Sequence, residues 1–128
     1  MGSLSTSVLW KRMVDYYDKM GPQVWEDEVV PLDITSNKYL ADLYCQLILA
    51  KIHDHKLAFP GKKHEPFTII EIGVGHGRFS FYLLKTLLEA FKIYEWAPQT
   101  IHYIMTDISQ KNIEFWHKHS ALRPFIDE

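Results

Sequence analysis

The sequence predicts an α/β fold in which N-terminal helices lead into the first β-α-β-α half of a doubly wound parallel sheet. Two runs of strand length, Phe67–Ile72 and Ile101–Thr106, are rich in β-branched and aromatic residues. Between them lies a long stretch with leucine at helical spacing, so the strands are joined by a crossover and pair in parallel. A glycine cluster breaks the first strand where that crossover begins.

The elements follow in order. Ser7 is placed to cap a helix over about Val8–Met20, with Leu9, Met13 and Tyr17 along one face. Gly21-Pro22 ends it, since glycine terminates helices at little cost and proline cannot continue them. Residues 23–34 contain Trp25, Val29, Val30, Pro31 and Ile34 without a period, which predicts an extended or irregular connector. Thr35-Ser36 offers a second cap, before a helix with an apolar face at Leu40, Leu43, Tyr44, Leu47 and Ile48. That helix is expected to fade through His53-Asp54-His55, ahead of a polar turn over Phe59–Lys63. The strand Phe67–Ile72 reads as buried. A helix over about Arg78–Tyr94 follows, with Leu84, Leu87, Leu88 and Phe91 toward the core. Trp96–Gln99 turns the chain into the second strand, and Ser109 caps a last helix through Ile113 and Trp116 that stops near Pro124. Residues 1–63 thus form a helical N-terminal cap, and 64–128 a partial ligand-binding unit.

Composition bounds the function. With 14 basic against 16 acidic side chains, the net charge of −2 provides no pull toward nucleic acid. No apolar stretch approaches the ~20 residues of a membrane span, and no basic flank precedes an apolar run near the start. The opening Met1–Thr6 fits the permissive myristoylation pattern and equally a short non-native leader. The only cysteine, Cys45, cannot form an internal disulfide, so a reducing, cytoplasmic setting is expected.

The chemistry concentrates in Glu71-Ile72-Gly73-Val74-Gly75-His76-Gly77. A glycine leaving the strand permits positive φ, another lets a ligand lie against bare backbone, and the last opens a helix start whose free N–H groups favour an anion. The spacing departs from the common nucleotide motifs and weakens both readings. A dinucleotide fingerprint requires G-x-G-x-x-G, and here the third glycine comes one residue early, with Arg78 in its place. A phosphate-binding P-loop ends Gly-Lys-Ser/Thr, whereas this loop ends Gly77-Arg78-Phe79.

Over roughly residues 66–119 this arrangement resembles the class I, Rossmann-like methyltransferases that use S-adenosyl-L-methionine. E-x-G-x-G-x-G is similar to their motif I, and Asp107 ends the next strand where they carry an acid. The resemblance implies that the glycine loop, Gly73, Val74, Gly75, His76 and Gly77, lies beside the methionine and ribose of the cofactor. It implies further that Glu71 helps hold the methionine amino end, that Asp107 takes the two ribose hydroxyls, and that Ile108 packs on adenine. An ionised carboxylate suits the ribose role because it accepts from both hydroxyls at once. One departure stands out: Asp107 falls about ten residues beyond the ~20-residue spacing of dinucleotide folds. The long helix and the Glu95–Thr100 loop take up that length. Asp33-Ile34-Thr35-Ser36 before an amphipathic helix, followed by motif I, also resembles the protein-arginine methyltransferases that support respiratory complex I assembly.

Other residues read as structural. His53/His55 and His117/His119 are two apart, which points helix side chains to different faces, so a metal site is not expected. His76 is evenly balanced between ligand contact and ordinary loop variation. Cys45 suits the core, and the four scattered tryptophans read as core or interface aromatics. No catalytic residue is identifiable, since the strand-four region that supplies substrate-facing groups in this family has no counterpart here.

A two-strand sheet leaves apolar faces and open edges, so self-association or a C-terminal continuation is expected. The reading is thus the cofactor-binding N-terminal part of a methyltransferase, with a protein or small-molecule acceptor favoured over RNA. The alternatives are a non-catalytic interaction module built on that fold and a nucleotide-binding domain.

Overall fold

The computed structural model describes residues 3–27, 33–62 and 64–126. Met1, Gly2 and part of the connector at 23–34 lie outside the described residues.

Helix α1 spans Val8–Met20, and the Ser7 side chain accepts from the Trp10 N–H at 3.1 Å, as the cap predicts. Gly21 ends it in the left-handed region at φ 58°, donating its N–H to Tyr17 O. Leu9 of the predicted apolar face is exposed, while Met13 and Tyr17 are half-buried. The supposedly irregular segment begins with a single helical turn, α2 (Gln23–Glu26), which buries Val24 completely.

Helix α3 runs from Lys38 to Ala58, through the histidines where fading was expected. Its cap is Asn37 rather than Thr35-Ser36, because the Asn37 Oδ1 accepts from the Leu40 N–H at 2.9 Å. The buried stripe also differs from the predicted one: Ala41, Cys45 and Ile52 face the core, while Leu43, Tyr44 and Leu47 stay exposed. The small side chains Ala41 and Cys45 belong to the cluster that joins α3 to the next helix. Close helix approach selects small residues, so the longest apolar side chains flank the contact instead of filling it.

Strands β1 (Phe67–Ile72) and β2 (Ile101–Thr106) occupy their predicted spans and pair in parallel, from Phe67↔Ile101 to Ile72↔Thr106. Helix α4 (Arg78–Ile93) links them, and α5 (Gln110–Lys118) follows β2. The described residues therefore form five α-helices and one two-stranded parallel sheet, an α/β arrangement. Helix α5 stops at Lys118, and a short 3-10 turn over Arg123–Phe125 accommodates Pro124.

Among the described residues, helices α3 and α4 cover one face of the ribbon. Phe67, Ile69, Ile101 and Tyr103 pack on a core of Ala41, Cys45, Ile52, Leu83, Leu87 and Phe91. On the opposite face of β1, Ile70 and Ile72 are 59% and 86% exposed. The strand expected to be buried on both faces is thus buried on alternate residues, because α3 and α4 pack on a single side. A second cluster, Val74, Trp116 and Leu122, closes the end where both strands terminate, with Met105 and Phe81 against it. Since α3 shares its core with α4 and both strands, the helical cap and the βα unit are packed together. No helix of the described residues is long and apolar enough to cross a membrane.

Candidate functional site

The glycine loop leaves β1 at its C-terminal end, and all three glycines adopt positive φ: Gly73 at 73°, Gly75 at 62° and Gly77 at 86°. Such values strain any residue with a Cβ. The loop is bound tightly to the second strand. Thr106 O accepts from both Gly73 N (2.9 Å) and Val74 N (3.0 Å), and the Thr106 hydroxyl donates to Glu71 O.

Asp107 completes this attachment. Its Oδ2 accepts from Gly75 N at 2.7 Å, while Oδ1 accepts from Ser109 N at 2.8 Å and from Asn112 Nδ2 at 3.1 Å. The residue expected to meet ribose hydroxyls thus directs its carboxylate to backbone and to Asn112. Ser109 makes no side-chain capping bond to α5: its hydroxyl donates to Tyr17 O on α1, and the first amide of the helix, Gln110 N, donates to Asp18 Oδ1 at 3.2 Å. Asn112 is completely buried, and its Oδ1 has no partner among the described residues. On the same side, the Trp116 Nε1–H donates to Gly75 O at 2.7 Å.

The other side of the loop is open. A cleft of about 480 Å³ runs between the loop and the helical cap, lined by Glu71, Gly73, Val74, Gly75 and His76. From the cap come Trp25, Thr35, Ser36, Leu40 and Tyr44, with Phe79 from α4. Five of the eight site residues anticipated from sequence therefore share one cleft. Gly77 instead packs under Leu122, whose Cδ1 would lie 2.6 Å from an added Cβ. Asp107 and the exposed Ile108 do not line the cleft.

Glu71 is held from one side. Its Oε2 accepts from the Ser80 hydroxyl at 2.6 Å and from the Tyr103 hydroxyl at 2.5 Å. Burial raises the carboxyl pKa above its ordinary value, against the two hydrogen bonds, which favour the charged form. Burial and the neighbouring Glu71 push the Tyr103 phenol up as well. Both oxygens of a carboxylate can accept, and the hydrogen bonds of the described residues engage Oε2 alone.

His76 is shifted the other way. Burial first, and then the charges of Arg78 and His119, lower its pKa to about 4, so the imidazole is neutral near pH 7. The ring stacks on Trp25 with centroids 5.3 Å apart, and its buried Nε2 has no partner among the described residues. An exposed ion pair, Arg78–Asp33 at 3.1 Å, ties the start of α4 to the cap.

Sequence reasoning did not find Trp25, Tyr44 and Phe79 as lining residues, nor Ser80, Tyr103, Asn112 and Trp116 as polar partners. Trp25 lies in a segment without periodicity, so no pattern marked it. Ser80 and Tyr103 carried a usable signal: a small polar residue one turn into α4, and a phenol two places along β2, both able to face a buried Glu71.

The arrangement is that of an α/β protein with a glycine-built strand-to-helix loop and a cleft ending at a buried acid. No family model, curated protein or solved structure matches the chain.

Proposed function

We propose that the cleft binds S-adenosyl-L-methionine and that the chain is the cofactor-binding N-terminal part of a methyltransferase acting on a protein or small molecule. The observation that carries this reading is the cleft itself. Three glycines with positive φ leave the end of a parallel strand, and two of them, Gly73 and Gly75, border a space of about 480 Å³ that reaches the Glu71 carboxylate. A ligand there meets bare backbone at Gly73, where an added Cβ would have no atom within 4 Å. It also meets aromatic walls at Tyr44 and Phe79, and an acid suited to an ammonium group. The loop lacks the Lys-Ser/Thr ending that would take phosphates.

In this reading the half-doubly-wound sheet is the methyltransferase core, and Asp107 acts by fixing Gly75 instead of holding ribose directly. Methyl transfer from a sulfonium is a direct displacement: an acceptor lone pair forms a bond to the methyl carbon as the S–CH₃ bond breaks, leaving S-adenosylhomocysteine. Alignment supplies most of the acceleration in such a step. The lone buried thiol of Cys45 is in keeping with a cytoplasmic setting.

Calorimetric titration with S-adenosylhomocysteine tests the assignment. Saturable binding is expected, unaffected by excess ATP and weakened about tenfold or more in Glu71→Gln, a loss typical of a charged hydrogen bond. Displacement by ATP would instead identify a nucleotide site. A second reading, an interaction module, draws on the uncovered face at Ile70 and Ile72. It gains if the chain binds no cofactor and sediments as a dimer.

A further inference from the structure

We infer that Trp25 is an internal occupant of the ligand site, so that cofactor and indole compete for the same place on Gly75. The inference rests on the cofactor reading above and concerns how that site is controlled. Its basis is a close approach. A Cβ built on Gly75 would lie 2.6 Å from Cζ2 of Trp25 and 3.0 Å from Cη2, so the indole lies directly on the backbone that the glycine leaves bare. The ring also forms part of the cleft wall, alongside Gly73, Gly75 and Glu71. Its removal would extend the cleft along the loop.

The ring is packed as a ligand ring would be. It stacks on His76 at 5.3 Å with planes 20° apart and on Tyr17 at 6.1 Å with planes 26° apart. These offset stacks are the contacts a heteroaromatic ligand makes in a protein site. His76 Nδ1 accepts from the Arg78 N–H, so the neutral ring carries its proton on Nε2, a buried donor unpartnered among the described residues that a ring nitrogen of an aromatic ligand could use.

The hold on Trp25 is of a kind that can be released. It sits on α2, a single turn of four residues whose N-cap, Pro22, makes no side-chain hydrogen bond. The indole N–H makes no hydrogen bond to any described residue, and among these residues stacking and the contact with Gly75 retain the ring at the loop. A site occupied by its own side chain binds ligand with an affinity reduced by the fraction of molecules in which that side chain has left. Releasing it demands no change in the loop, because the polar contacts of Gly75 all run to Asp107 and Trp116 on the far side.

The experiment is calorimetric titration of S-adenosylhomocysteine into the wild-type chain and into Trp25→Ala, with thermal melts to establish that each is folded. The alanine variant is expected to bind about tenfold more tightly or better, the gain set by the closed fraction. Binding to the variant alone, with none to wild type, supports the inference equally. Equal or weaker binding in the variant overturns it and leaves the cofactor reading intact, with the indole then a wall or platform. No binding to either protein removes both. Should Trp25→Ala fail to fold, ¹⁹F NMR of wild type labelled with 5-fluorotryptophan decides, with Trp25→Phe used to assign the resonance. Saturating ligand should move the Trp25 signal to a solvent-exposed position, and an unmoved signal overturns the inference.

Discussion

Two tryptophans meet Gly75 from opposite sides, and they are held in different ways. Trp116 is 3% exposed, belongs to the core cluster with Val74 and Leu122, and donates its N–H to Gly75 O. Trp25 is half-buried on a one-turn helix and touches the same glycine through its ring edge alone. The first fixes the loop to α5 with a directional bond. The second covers the loop with stacking that carries no direction and leaves no polar group stranded when it departs. The loop is thus anchored from behind and covered from the front, an arrangement that lets one face change while the other does not.

The largest effect that bears on this contrast is expected from truncating each ring. Trp116→Ala should destabilise the fold by about 3–5 kcal/mol, the usual cost of deleting a buried aromatic. Trp25→Ala should cost about 1–2 kcal/mol, in line with its partial burial. Urea midpoints measure both, and equal losses would break the distinction between anchor and cover.

Next comes Asp107. Asn at this position retains the shape but gives up the charge and presents an N–H toward donors that the carboxylate had satisfied. A loss of about 1.5–3 kcal/mol is expected, the range for hydrogen bonds to charged groups. It should be accompanied by faster hydrogen exchange at the Gly75 amide, and unchanged exchange there would detach Asp107 from the loop.

A smaller effect depends on pH. His76 has a folded-state pKa of about 4, below its ordinary value of 6.5, so the unfolded chain takes up the proton first as pH falls. The associated stability is complete above pH 6.5 and is lost as pH drops from 6.5 toward 4. Glu71, with its raised pKa, has the opposite sign: its contribution declines as pH rises above 4.5. Comparison with His76→Gln isolates the histidine, since Glu71 is present in both proteins. The melting temperature of wild type relative to the variant should fall across that window, and a flat difference would place His76 in water.

The smallest change is expected at Ile72, 86% exposed at the end of β1. Ile72→Thr should alter stability by no more than about 0.5 kcal/mol, as for surface positions generally. A loss of several times that size, at protein concentrations where wild type sediments as a dimer, would show that the uncovered face is an interface.

Most local elements were legible in the sequence, because each is determined by neighbouring residues, but the α2 turn and the cap and end of α3 were not. β-branched content and strand length gave β1 and β2 their observed ends, and Ser7 capped α1 as its side chain allows. The positive φ of Gly73, Gly75 and Gly77 likewise follows from a turn that only glycine makes without strain. What failed was the choice of face and of partner. Leu43, Tyr44 and Leu47 form a good apolar pattern, yet packing of α3 on α4 selected Ala41 and Cys45. Hydrophobicity ranks side chains by the area they could bury, whereas the fit of two helices ranks them by size at the line of contact.

The candidate site divides in the same way. The sequence by itself placed an acid, a glycine loop and a second acid at consecutive strand ends, since order and spacing are properties of the chain. Only the tertiary structure decided that Asp107 turns inward to Gly75, that Ser80 and Tyr103 hold Glu71, and that Trp25 covers the loop. The Asp107–Gly75 hydrogen bond joins residues 32 apart, and the Trp25–Gly75 approach spans a longer stretch still. Such contacts form when separate elements pack together, and the pattern of one element has no means of encoding the surface of another.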